Sequence, residues 1–274
     1  MSATLSSVAV QEFDSLVKHA YQGQGLLKPA VTVRNNVVGD TYKFRKMGKG
    51  TANQKATSDL VVPMAVGHEY KTATLQNWNA PEYTDIFDAA EVNFDEKQEL
   101  AQTIAGALGR RCDQLVIDAM DASTPLTTAL DSGATLAAQG VIDAKVELVK
   151  QGVGSSELFA VVNGKGLAGL LADSKISSFD HNNVKALVNG EVDTFGGFRF
   201  IVLDDRSEGG LKVDSSNYEA WFFAKDAVGL AIGIDMKTSI DYVPERTSHL
   251  CNGMLKAGAV VRDEGGLVKV KYDV

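Results

Sequence analysis

Val38-Gly-Asp-Thr-Tyr-Lys-Phe-Arg-Lys-Met-Gly-Lys-Gly50 is the stretch on which the reading of the fold turns. Within it, Thr41–Met47 alternates Tyr42 and Phe44 with Lys43 and Arg45, the two-residue period of a strand with one wet face. Residues 69–78, rich in Tyr, Thr, Leu and Trp, suit the returning strand. Between the two strands, residues 48–67 contain glycine and threonine and show no helical period. A connection of about 20 residues without structure of its own is uncommon inside a compact domain and is usually functional. The spacing therefore predicts a protruding hairpin whose tip finds order against something else.

Upstream, Val10, Phe13, Val17, Ala20 and Tyr21 recur at helical spacing, enough for one short amphipathic helix. Gly23-Gln-Gly25 breaks it, and residues 26–36 read as extended, with Pro29 inside. One helix and one strand cannot bury each other in water. This segment is expected to be an arm lying on its own body or on another subunit. Downstream, a long helix is predicted, with Asn93 as cap and Asp95 and Glu96 at the positive end of its dipole. Leu100, Ile104, Leu108, Cys112, Leu115, Val116 and Ala119 form one stripe at spacings of three and four. Ser123, Thr124 and Pro125 end it. From 95 to 120 it spans about 39 Å at 1.5 Å per residue.

Residues 136–235 read as a mixed α/β lobe. A helix over 136–151 carries Ile142, Val146 and Val149, and Leu158-Phe-Ala-Val-Val162 is a buried strand leading to a short helix near 166–172. Further strands are expected at 198–203 and 218–224, separated by an acidic, glycine-containing loop. The tail from 237 is strand-rich again. Thr238, Ile240 and Tyr242 alternate before Pro244, and Val268, Val270 and Tyr272 alternate with Lys269 and Lys271 after the Asp263-Glu-Gly-Gly266 turn.

The 274 residues are 45% hydrophobic and 23% charged, too apolar for a disordered chain and long enough to bury a sizeable core. A net charge of −8 argues against a protein built to grip nucleic-acid phosphates. Cys112 and Cys251 are too few for a disulfide framework or a four-thiolate metal site, which fits a reducing, intracellular origin. The first residues lack the basic and apolar regions of a secretory leader. The longest apolar run, residues 227–234, is far short of the ~20 a membrane helix needs, so no membrane association is expected.

Candidate chemistry is sparse. His19, His68, His181 and His249 form no His-x-x-x-His pair, and no Cys-x-x-Cys occurs, so no metal site is expected. There is no Gly-x-Ser-x-Gly elbow, and Cys112 lies on the apolar helix stripe as a small core residue does. Gly152-Val-Gly154 lacks the third glycine of a dinucleotide fingerprint and runs from helix to strand, the wrong order for phosphate at a helix N-terminus. In Gly48-Lys49-Gly50-Thr51 the first glycine of a phosphate loop is missing and Gly50 separates Lys49 from Thr51. No catalytic residue, cofactor or metal is expected.

Charge is segregated along the chain. From 34 to 55 stand Arg34, Lys43, Arg45, Lys46, Lys49 and Lys55 against Asp40 alone. From 82 to 99 stand Glu82, Asp85, Asp88, Glu91, Asp95, Glu96 and Glu99 against Lys97 alone. Two solvated faces would give the same pattern. Because the basic block sits on a protruding hairpin, it is also placed to lie across the acidic region of a neighbouring copy, a head-to-tail, self-propagating contact. The candidate intersubunit residues are Lys43, Arg45, Lys46, Lys49 and Lys55 on one side, and Glu82, Asp85, Asp88 and Glu91 on the other. A nucleic-acid role for the block is weaker, since it lacks closely spaced aromatic platforms.

The order of arm, extended hairpin, long helix, α/β lobe and strand-rich return resembles the major capsid proteins of tailed bacteriophages, the Hong Kong 97-like fold. The stretches beginning Val38-Gly-Asp-Thr, Trp78-Asn-Ala-Pro-Glu-Tyr-Thr-Asp-Ile86 and Val92-Asn-Phe-Asp-Glu96 look like podovirus-type capsid sequences. So do Ala220-Trp-Phe-Phe-Ala-Lys-Asp-Ala-Val-Gly-Leu230 and Gly258-Ala-Val-Val-Arg-Asp-Glu-Gly-Gly266. The resemblance implies an α+β fold with an N-terminal arm at 1–38, an extended loop at 39–80 and a peripheral domain with a spine helix at 81–135. An axial domain at 136–235 and return strands of the peripheral domain at 236–274 complete it. It implies pentamers and hexamers in an icosahedral shell around double-stranded DNA, in a virion assembled in the host cytoplasm and carrying a portal protein. With about forty residues before the hairpin, there is no room for a fused scaffolding region, so a separate scaffolding protein is implied. Some relatives cross-link Lys to Asn, but no partner asparagine or catalytic acid for Lys49 is identified, and no cross-link is predicted. An encapsulin-like compartment shell and a soluble α/β enzyme are the alternative readings.

Overall fold

The computed structural model describes residues 25–86, 96–129, 135–153, 157–173, 194–203, 205, 208–214 and 217–273. The predicted N-terminal helix, the Asn93 cap, His19 and His181 lie outside the described residues.

The decisive stretch forms a hairpin, β2 (Thr41–Met47) with β3 (His68–Thr74), antiparallel from the Thr41–Thr74 pair to the Met47–His68 pair. Gly48 N–H donates to Gly67 O at 2.8 Å and closes the neck of the connection, beyond which 48–67 has no helix or strand. The single return strand expected over 69–78 is two strands. At Leu75 the chain turns its side chain inward onto Phe44, Ala73 and Ala231, and β4 (Gln76–Asp85) then leaves the hairpin to pair elsewhere.

That partner is a four-stranded sheet ordered β1 (Thr32–Arg34), β11 (Val228–Val243), β12 (Ser248–Val261), β4. Only the β1–β11 pairing is parallel. Helix α1 (Glu96–Asp121) lies across this sheet and buries Ile104, Leu108, Cys112 and Val116 of the expected stripe, with Ile117 and Met120. Contact is close because β12 offers Gly253: a Cβ there would fall 2.2 Å from Ile104 Cγ2, well inside van der Waals contact. Burial pushes the Cys112 thiol up to about 11, so it is a core residue, as its place on the stripe predicts.

The second sheet is ordered β5 (Leu126–Ala129), β13 (Leu267–Asp273), β10 (Asn217–Ala224), β6 (Leu158–Val162), β8 (Phe198–Val202), β7 (Thr194–Phe195), and β9 (Val213–Asp214) pairs with the start of β10. β6 is buried at every residue, as its unbroken apolar run requires. Phe198 packs edge-on against Phe222, and Trp221, Phe222 and Phe223 are fully enclosed. Helix α3 (Gly164–Ala172) is capped by Asn163, whose Oδ1 accepts from Gly166 N–H at 2.7 Å and also from the Tyr272 hydroxyl of β13. One continuous core joins the two sheets through α1, β10, β11 and β13.

Two arrangements were not visible in the sequence. The expected division at 235/236 falls inside β11, which runs unbroken for 16 residues, while the tail strand β13 belongs to the other sheet. Helix α2 (Ala138–Lys150) buries Ala138, Val141, Ala144 and Leu148, whereas Ile142, Val146 and Val149 stand 44, 45 and 53% exposed.

Candidate functional site

The hairpin is seated on the body by its inner face. Phe44 lies over Gly229 of β11, where a Cβ would come within 2.8 Å of the ring, so the absence of a side chain at 229 is what admits it. Around this apolar seat runs a ring of polar contacts. Lys46 Nζ donates to Asp263 at 2.8 Å, and Lys71 Nζ lies 3.2 Å from Glu264, which also accepts from Thr124 Oγ1 at 2.9 Å. Lys49 Nζ donates to Gln151 O at 2.9 Å, and Lys256 Nζ pairs with Asp40 at 2.7 Å just before β2, at the opposite end of the hairpin from the neck.

This arrangement divides the expected basic block. Lys46 and Lys49 have partners inside the chain. Lys43 and Arg45 point to the outer face of β2, where Lys43 lies 4.5 Å from the centre of the Tyr70 ring, and Lys55 is exposed in the loop. Glu82 is exposed on β4 and Asp85 is half-buried near its end, while Asp88 and Glu91 lie outside the described residues. The chain does not bring its own basic and acidic blocks together. The hairpin sits beside the start of β11 and the end of β12, whereas Glu82 and Asp85 pair with Cys251 and Ser248 at the opposite end of the sheet.

The loop adds a feature that strand-by-strand reading missed. Leu60, Val61, Val62 and Met64 are 91, 77, 66 and 51% exposed, an apolar run broken only by Pro63 on the returning side of the loop. The signal was present as Leu60-Val-Val-Pro-Met64, apolar residues inside a segment with no secondary structure. Exposed apolar runs of this kind mark interaction sites.

Near the start of the described chain, buried Asp113 of α1 accepts from Leu26 N–H at 2.8 Å and Leu27 N–H at 2.9 Å. It fixes the point from which the N-terminal segment departs. Its neighbour Gln114, also buried, accepts from Gly209 N–H at 2.9 Å and pins the loop before β9. Among the described residues no group of His, Cys, Asp and Glu is arranged to hold a metal ion, and no helix is long and apolar enough to cross a membrane.

The chain thus carries a seated hairpin with an exposed apolar loop beyond it, and a long helix laid on a four-stranded sheet. The sequence model of the phage capsid protein family matches residues 5–274, and the chain belongs to that family. No curated protein matches it by sequence. Among solved structures it is similar to the capsid of cyanophage P-SCSP1u, at 13% identity and a TM-score of 0.77, covering 99% of this chain and 95% of that one. The capsid of a native GTA particle matches at 16% identity and a TM-score of 0.74, covering 100% of both chains. The capsid of Helicobacter pylori bacteriophage KHP30 matches at 9% identity and a TM-score of 0.74, also over 100% of both. The fold is thus the Hong Kong 97-like capsid fold, and the chain is a structural protein of a bacteriophage capsid, assembled from capsomers into the shell of the virion.

Proposed function

We propose that this chain is the major subunit of an icosahedral shell that encloses the double-stranded DNA of a tailed bacteriophage, and that it carries out no catalysis. The observation that carries the reading is the loop at 48–67, which leaves its apolar run in solvent beyond a neck held by Lys46, Lys71 and Asp263. A monomer gains nothing from that projection, while a neighbouring copy gains an apolar surface to cover. Residues 1–38 act as an arm and 39–80 as the extended loop. Helix α1 with the sheet of β1, β11, β12 and β4 makes the peripheral domain, and the second sheet with α2 and α3 the axial domain that converges in pentamers and hexamers. Lys43, Arg45 and Lys55, with Lys46 and Lys49 at the seat, face the Glu82, Asp85, Asp88 and Glu91 region of a neighbour. A separate scaffolding protein directs assembly in the host cytoplasm and a portal protein occupies one vertex. A net charge of −8 suits a wall that surrounds DNA without gripping it.

Negative-stain microscopy of the purified chain, with and without the scaffolding protein encoded beside it, tests this. Closed shells, or capsomers that close when scaffold is added, are expected. A discrete small oligomer under both conditions, without shells or tubes, would overturn the reading.

A further inference from the structure

Between β1 and the hairpin runs an open groove of about 970 Å³. Its lining includes Arg34, Lys43, Arg45, Lys46 and Arg262 against a single acid, Glu69. Lys46 is taken by Asp263 and Lys43 stands over Tyr70. Arg34 and Arg45 are exposed and make no ion pair among the described residues. Arg262 sits at the floor with its guanidinium 5.5 Å from the centre of the Phe44 ring, and its buried Nε has no hydrogen-bond partner among the described residues. A buried donor left unsatisfied is costly, and a groove lined by arginines without carboxylate partners favours an anion. The groove has the chemistry of a carboxylate receptor.

The same molecule carries matching carboxylates at the other end of its four-stranded sheet. Arg34 pairs in register with Ala231, and ten residues further along β11, about 33 Å at ~3.3 Å per residue, stands Asp241. Glu82 of β4 and Glu245 of the Pro244–Arg246 turn surround the same end. All three are exposed, and none forms an ion pair among the described residues. Among the described residues the bases at this end are Arg246, whose guanidinium is stacked 4.5 Å from the centre of the Tyr83 ring, and His249, whose ring lies 5.5 Å from that of Tyr242. Ile240 and Tyr242 flank Asp241 with about half their surface in water, and Tyr70 and Met47 beside the groove are exposed over about two-thirds of theirs. Both surfaces therefore combine charge with exposed apolar area, in opposite signs.

We infer that the groove built by Arg34, Arg45 and Arg262 receives the acidic end of the β11–β12 ribbon, Glu82, Asp241 and Glu245, of a second copy. The contact is heterologous: each copy offers a groove at one end and a ribbon tip at the other, so every bound copy presents the next site. It extends the proposed function by naming the seat and its occupant, and it rests on that reading only for the occupant being another copy of this chain.

Sedimentation velocity tests it with two reversals, because oligomers of any size are counted whether or not shells close. Arg34→Glu, Lys43→Glu and Arg45→Glu together make the groove acidic, and Asp241→Lys with Glu245→Lys makes the tip basic. Each variant alone is expected to lose self-association while keeping its circular dichroism, and an equimolar mixture is expected to regain it, since each then meets an opposite charge. The neutral pair Arg34→Gln with Arg45→Gln, all at exposed positions, should weaken association at least tenfold and reduce its salt dependence. Wild-type association in any of these single-sided variants, or a mixture as silent as its components, would overturn the inference while intact wild-type shells leave the proposed function standing. Unchanged assembly with a reduced DNA content in the groove-reversed variant would also overturn it, assigning the groove to phosphates. A wild-type chain that never self-associates would remove both readings.

Discussion

Single residues decide how closely the parts of this subunit approach. Gly229 is the floor on which Phe44 rests, and any side chain there meets the ring at 2.8–2.9 Å. Gly229→Val is expected to cost roughly 1–3 kcal/mol by overpacking the seat, read as a lower denaturation midpoint with unchanged slope. Gly67→Ala, where nothing lies within 4 Å of a new Cβ, serves as the control and should leave the midpoint within about 0.5 kcal/mol of wild type. Asp113 and Gln114 show the limit of residue-level reading. In a helical pattern they fall off the apolar stripe and read as wet, yet both are buried, because backbone N–H groups from Leu26, Leu27 and Gly209 come to them. A partner 86 or 95 positions away leaves no trace in local periodicity.

At the scale of elements, the hairpin and α2 each carry a prediction. Glu264 is held below the usual carboxylate range by the Thr124 hydroxyl and by Lys71. For Asp263, burial is the largest single influence and opposes ionisation, but hydrogen bonds from Lys46 and Gly265 N–H, with the charges of Lys46 and Lys49, outweigh it and hold its carboxyl low as well. A carboxylate with a depressed folded pKa contributes stability above its unfolded value and loses it as pH falls through the folded one. The hairpin seat is therefore fully held above the ordinary carboxylate range and is released only as the pH falls below that range, through the lowered folded values. Amide exchange across β2, measured relative to β10, should rise over that window, and a flat ratio would show that the ring of contacts contributes nothing. Helix α2 makes the opposite point about pattern. Replacing Ile142, Val146 and Val149 together by Gln should shift Tm by no more than a degree or two, because all three already face water. A loss of several degrees would place them in the core after all.

For the whole molecule, the exposed apolar run of the loop separates folding from assembly. Leu60→Asp with Val62→Asp removes apolar surface that the subunit itself does not bury, so thermal unfolding should be unchanged. Shell formation, followed by light scattering with scaffolding protein present, should be lost. Assembly at the wild-type rate would mean that the run is not covered by a neighbour. The net charge of −8 also takes its meaning at this scale, since a basic groove and an acidic ribbon tip stand at opposite ends of one sheet and largely cancel in the sum.

Local order was written in the sequence wherever a period was long or unbroken. β2 begins and ends where the alternation of Tyr42 and Phe44 with Lys43 and Arg45 does, β6 matches its all-apolar run, and α1 matches its stripe to within a residue or two. The hairpin and its long connection followed from the same signals, while the resemblance to phage capsid proteins rested on the order of elements and on particular sequence stretches. The tertiary structure decided which face each element turns inward and which strand pairs with which. It alone split the return strand at Leu75, carried β11 unbroken across 235, sent β13 to the second sheet and paired Lys46 with Asp263. The reason is physical: periodicity reports a contrast between two faces of one element. Register, the choice between two apolar faces and charge pairing depend on contacts between different elements, many of them far apart in the chain.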